Sequence, residues 1–154
     1  MKFSGAIGLG GTIHLIHKRG DKVLEDLTIN NTITTAGIRE VAGLINGSRT
    51  GAFTYLALGS SGTEATAANT ALTTEITGAG LARVAATCTR VQTDTANDTA
   101  QLLHTFTATN TQAVREVGIF DSAAAGTMLG HHTFNVKNME TDDTLQITYK
   151  VDVD

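Results

Sequence analysis

Apolar and polar side chains alternate with a period of two over much of the chain. In the closing stretch Leu145, Ile147, Tyr149, Val151 and Val153 alternate with Gln146, Thr148, Lys150, Asp152 and Asp154. Upstream, Leu102, His104, Phe106 and Ala108 fall on one face. Successive strand residues point to opposite faces, so each stretch reads as a strand with one buried and one wetted side. Gly11–His17 and Lys22–Ile29 flank Gly20-Asp21 and read as a β-hairpin. Ala52–Leu58, Leu81–Val91, Ala100–Thr109, Ala113–Asp121, Thr127–Phe134 and Thr144–Val153 read as further strands.

One segment has a different period. Ile38, Val41, Ala42 and Ile45 follow i, i+3, i+4, i+7 spacing, and Asn46-Gly47 supplies a stop. This predicts a short amphipathic helix near residues 34–46, its apolar stripe laid against a sheet. Gly59–Thr74 is a small-residue loop, expected to bury nothing. About eight strands joined by Gly, Asn, Asp and Ser turns predict a mainly β fold, an antiparallel, jelly-roll-like β-sandwich. Residues 1–10 read as an N-terminal arm, with Phe3, Ile7 and Leu9 as apolar anchors for a partner contact. Residues 11–154 read as a single sandwich domain.

Composition supports this picture. The 154 residues include 27 Thr, a residue suited to a pleated, half-buried surface, and no Pro or Trp. The net charge of −4, with 11 scattered basic residues, argues against nucleic acid as a partner. No apolar run approaches the roughly 20 residues that span a bilayer as a helix, so no membrane partner is expected. The single cysteine, Cys88, precludes an intrachain disulfide and reads as a half-buried strand residue.

Catalytic and ligand signatures fail on spacing. His14 and His17 lie three apart on a strand and point to opposite faces, and adjacent His131 and His132 do the same, so neither pair grips a metal. Gly59-Ser60-Ser61-Gly62 lacks the last glycine of a nucleophile elbow, since Thr63 stands there. Gly8-Leu9-Gly10-Gly11 precedes a strand, the reverse of a dinucleotide fingerprint. Asp94, Asp98, Asp142 and Asp143 sit among turn residues and read as turn formers. A carbohydrate-binding module stays a weaker alternative, since it would need exposed aromatic platforms and Tyr55 and Tyr149 lie on core-like strands. No enzyme activity, catalytic residue, metal or cofactor is expected.

Several phrases together carry a resemblance. Asn31-Thr32-Ile33-Thr34-Thr35-Ala36-Gly37 leads into the helix, and Tyr55–Thr63 reads YLALGSSGT. Thr70-Ala71-Leu72-Thr73-Thr74-Glu75 and Arg83-Val84 follow, then Arg115–Asp121 (REVGIFD), Thr127-Met128-Leu129 and the Asp142–Thr148 strand. In this order they resemble a family of tailed-bacteriophage virion structural proteins. The resemblance implies a capsid decoration (cement) protein on the outer surface of the phage head, binding the major capsid protein and itself as a homotrimer or homodimer. Some relatives are tail or fibre components, so a tail, collar or fibre-associated structural protein is the alternative. The family brings no catalytic residues to transfer.

Overall fold

In a computed structural model, which describes residues 8–153, the alternation read along the last strand is the alternation that is buried. Leu145, Ile147 and Tyr149 are inaccessible to solvent and Val151 nearly so, while the strand's end at Val153 is open. The chain forms β1 (Leu9–Arg19), β2 (Lys22–Asn30), β3 (Thr32–Ile33), α1 (Thr35–Asn46), β4 (Tyr55–Gly59) and β5 (Val84–Ala85). It continues with β6 (Thr87–Val91), β7 (Thr99–Thr107), β8 (Gln112–Phe120), β9 (Met128–Met139) and β10 (Thr144–Val153). Two five-stranded sheets result, ordered β2-β1-β10-β7-β6 and β3-β9-β8-β4-β5, with every pairing antiparallel. This is the mainly β sandwich that the alternation predicts.

The core lies between the sheets. Ile13, Leu15, Phe106, Leu145, Ile147 and Tyr149 face Leu56, Leu58, Val114, Val117 and Ile119. Burying each such side chain contributes about 1.5–3 kcal/mol. The predicted hairpin forms, with Arg19 opposite Lys22 and Gly20 at φ +57° in the turn.

Three expectations need correction. Leu81–Val91 is not one strand: β5 pairs with β4 in one sheet, β6 pairs with β7 in the other, and the chain changes sheets at Ala86. Residues 59–74 do bury apolar surface, because Leu72 packs with Ala57, Phe120 and Met128 in a second, smaller cluster.

The third correction concerns α1. Its bounds follow the sequence, with Thr34 as N-cap accepting from the Gly37 amide and Gly47 as the left-handed C-cap. Its stripe lies only partly on the core: Val41 is half-buried and packs against the main cluster, while Ile38 is 53% and Ile45 82% exposed. The closest contact is made by the first turn. The Thr34 amide donates to the Leu129 carbonyl and its hydroxyl to the Met128 carbonyl. Gly37 lies so close to β9 that a methyl group there would sit 2.6 Å from Leu129 Cα. Capping bonds and a glycine contact fix the helix direction, so that Val41 still reaches the core while Ile38 and Ile45 face out.

Candidate functional site

The segment 31–37, which carries much of the family resemblance, is a structural joint. Asn31 stands where the chain leaves the first sheet for the second. Its amide donates to the Gly11 carbonyl, and its side-chain Nδ2 donates to the Tyr149 hydroxyl at 2.9 Å. Burial pushes the Tyr149 phenol well above its ordinary pKa, so it stays a neutral hydroxyl. Ile33 packs against the main core, Thr34 caps the helix, and Gly37 permits its close approach to β9.

Buried charges also serve to hold loops in place. Glu116, fully buried in β8, accepts from the amides of Thr74 (2.9 Å), Thr73 (3.1 Å) and Ser61 (3.3 Å). One carboxylate thus fastens both ends of the 60–74 loop. Ser61, the serine of the elbow-like phrase, is occupied in this loop by Glu116 and by Thr63. Arg83 pairs with Glu75 at 2.6 Å, lies 3.6 Å over the Phe120 ring, and donates to the carbonyls of Ser122 and Ala125. Lys137, nearly inaccessible in β9, reaches across the sandwich to Glu25 of β2 at 2.6 Å.

Asp143, expected as an ordinary turn former, is instead buried and central to a network. His17 lies 3.0 Å from it, Arg19 binds it in bidentate fashion at 2.9 Å, and the Glu140 amide donates to it. The Arg19 guanidinium, the Glu140 amide and His17 hold its carboxyl well below the usual range against the opposing effect of burial. The network ties the β1–β2 hairpin to the β9–β10 turn. Asp98 keeps its predicted turn role, accepting from the amides of Thr93, Asp94 and Thr95.

The histidines remain apart. His14 meets Asp26 at 2.6 Å on the outer face, while His17 is buried at Asp143. His104 stacks edge-on with Phe106, with ring centroids 4.7 Å apart. His131 sits 3.1 Å from Asn69, and burial lowers the pKa of both His131 and His132. Among the described residues no three His, Cys, Asp or Glu side chains gather as metal ligands. Cys88 is exposed rather than half-buried, and the protein around it raises its thiol pKa, which favours the unreactive form.

Of the three expected arm anchors, Phe3 and Ile7 lie outside the described residues. Leu9 is already in β1, opposite Val153. Among the described residues it also lines an apolar groove of about 500 Å³ with Gly8, Val153 and the α1 residues Ile38, Val41, Ala42 and Ile45. Sequence reasoning missed Glu116, which follows Arg115 in the otherwise mostly apolar β8, and Lys137, the one Lys, Arg, Asp or Glu of β9. Such a charge, placed at core parity, signals a buried partner.

The fold and its interior define a β-sandwich whose buried polar groups fasten its own loops and turns. Residues 28–151 match the family model described as Podophage GP4 fiber I protein gp80, and the chain belongs to that family. It is a family of tailed-phage virion structural proteins. No curated protein and no solved structure matches the chain.

Proposed function

We propose that the protein is a fibre-associated structural component of the phage tail, without catalytic activity, acting by protein–protein contact. What carries this reading is the family match over residues 28–151 and the family's fibre description. The interior agrees with it, since Glu116, Asp143, Arg83 and Lys137 are spent on loops and sheet-to-sheet ties. The narrower reading as a head decoration protein bound to the major capsid protein rests on the sequence resemblance, and the family description favours the fibre. A self-association as a homotrimer or homodimer fits either place, because virion parts are symmetric assemblies.

Gold-labelled antibody against the protein, applied to intact particles of the source phage, tests the proposal. Label at the tail or its fibres is the expected result. Label confined to the head surface would overturn it in favour of decoration. Absence of label, with the protein also absent from disrupted purified particles by mass spectrometry, would overturn both.

A further inference from the structure

His131 is 2% exposed, paired in register with Gly118 of β8 and Thr32 of β3, on the face of β9 that the 60–74 loop covers. Its Nε2 lies 3.1 Å from Asn69 Oδ1 and 3.5 Å from the Thr66 carbonyl. Asn69 Oδ1 also accepts from the Thr66 amide at 2.6 Å and the Thr66 hydroxyl at 3.0 Å. The Asn69 amide donates back to the Thr66 carbonyl at 3.1 Å, and the Ala67 carbonyl accepts from the Thr35 amide at 2.8 Å. The middle of the loop is thus a knot of short bonds, and His131 ties that knot to β9.

Both neighbours of Nε2 are acceptors, which assigns the proton of the neutral ring to Nε2. Nδ1 is then the bare nitrogen, enclosed and without a hydrogen-bond partner among the described residues. The neutral ring tolerates this, because only a lone pair goes unused. A second proton would place a donor and a positive charge where no acceptor lies. Glu116 of β8, two residues from Gly118 and on the same face, favours that charge, but its oxygens already accept from Ser61, Thr73 and Thr74. His132, next along β9, opposes it, and Thr32, Thr35 and loop residues 66–69 bring no charge. Burial outweighs Glu116, so the His131 pKa lies below its ordinary value.

We propose that His131 is a pH-sensitive latch: the neutral ring holds residues 66–69 against β9, and protonation at Nδ1 releases them. Release is confined to the middle of the loop, because Glu116 fastens its ends and the Thr133 hydroxyl donates to the Thr63 carbonyl at 2.7 Å. A released ring titrates near the ordinary value of about 6.5, and the latched ring below it. The latch is therefore closed above about pH 6.5 and weakens as pH falls toward the folded pKa. This goes beyond the proposed place in the virion and holds whichever part of the particle the protein occupies.

Two NMR measurements on the full chain test it. Ring-nitrogen shifts at about pH 7.5 report the tautomer of His131. Amide hydrogen-exchange protection factors, which correct for the intrinsic effect of pH, follow the latch from about pH 7.5 to about pH 5. The first expected result is the Nε2–H tautomer. The second is protection of the Thr66 and Asn69 amides that falls by up to about tenfold per pH unit below about pH 6.5, with β10 amides unchanged. His131→Gln, whose side-chain amide still donates to Asn69 but does not titrate, should give a flat profile. His132→Gln should keep the wild-type slope. An Nδ1–H tautomer, a flat wild-type profile, a slope that survives His131→Gln or one lost in His132→Gln would each overturn the proposal.

Discussion

Asn31 and Tyr149 are far apart in sequence, yet the Asn31 amide group donates to the Tyr149 hydroxyl at 2.9 Å where the chain crosses between sheets. Tyr149 is fully buried in β10, so its hydroxyl needs this partner. Tyr149→Phe removes the acceptor and leaves a donor unpaired in the interior. Chemical denaturation should show a loss of about 1–3 kcal/mol. Asn31→Ala should cost a similar amount, and the double variant should cost less than the two together, because each single change already breaks the same bond.

Glu116 makes a second kind of prediction, local rather than global. Its carboxylate is the common acceptor for the amides of Ser61, Thr73 and Thr74. Glu116→Gln keeps the shape but removes the charge, and hydrogen bonds to charged acceptors contribute about 1.5–3 kcal/mol each before compensation. Hydrogen exchange at those three amides should accelerate strongly while amides in β10 keep their protection.

Acid sensitivity should trace to Asp143. Its folded-state pKa lies below the unfolded value of about 3.9. Its contribution to stability is therefore fully present above that value and is lost as pH falls through about 4 toward the folded pKa. Urea midpoints measured from about pH 6 down to about pH 2 should decline for the wild type. Asp143→Asn should start lower and show a flatter decline over the same window, with the Arg19 and His17 contacts weakened throughout.

Gly37 gives a prediction of sign. In an exposed helix Gly→Ala stabilises by up to about 1 kcal/mol. At this position the added methyl meets the Leu129 backbone at 2.6 Å, which a flexible side chain could escape but β9 cannot. Gly37→Ala should destabilise by about 1–3 kcal/mol, as overpacking does. A neutral or stabilising result by thermal denaturation would show that α1 is not docked through its first turn.

The local features of this fold are legible along the chain. The β1–β2 hairpin and both caps of α1 depend on neighbours within a few residues, and the alternation of β10 depends on a period of two. What the sequence leaves ambiguous is where an apolar stripe points. The spacing of Ile38, Val41, Ala42 and Ile45 identifies a helix, but the same spacing suits a core face or an open groove. That choice was made by Thr34 and Gly37, whose contacts with Met128 and Leu129 orient the helix. Likewise, the apolar run 81–91 reads as one strand, because nothing local reveals that Val84 pairs with Leu56 while Thr87 pairs with Leu103.

By itself, then, the sequence determined the β class, the single helix and its ends, and which side of each regular strand is buried. It also carried the ordered phrases that resemble a family of phage virion proteins. Only the tertiary structure decided that β10 lies between β1 and β7, that Glu116 and Asp143 serve as buried anchors, and that the helix stripe is divided, with Val41 on the core and Ile38 and Ile45 exposed. The physical reason is range. Periodicity and capping are set by backbone geometry over a few residues. Strand order and the partner of a buried charge depend on groups brought together from distant parts of the chain.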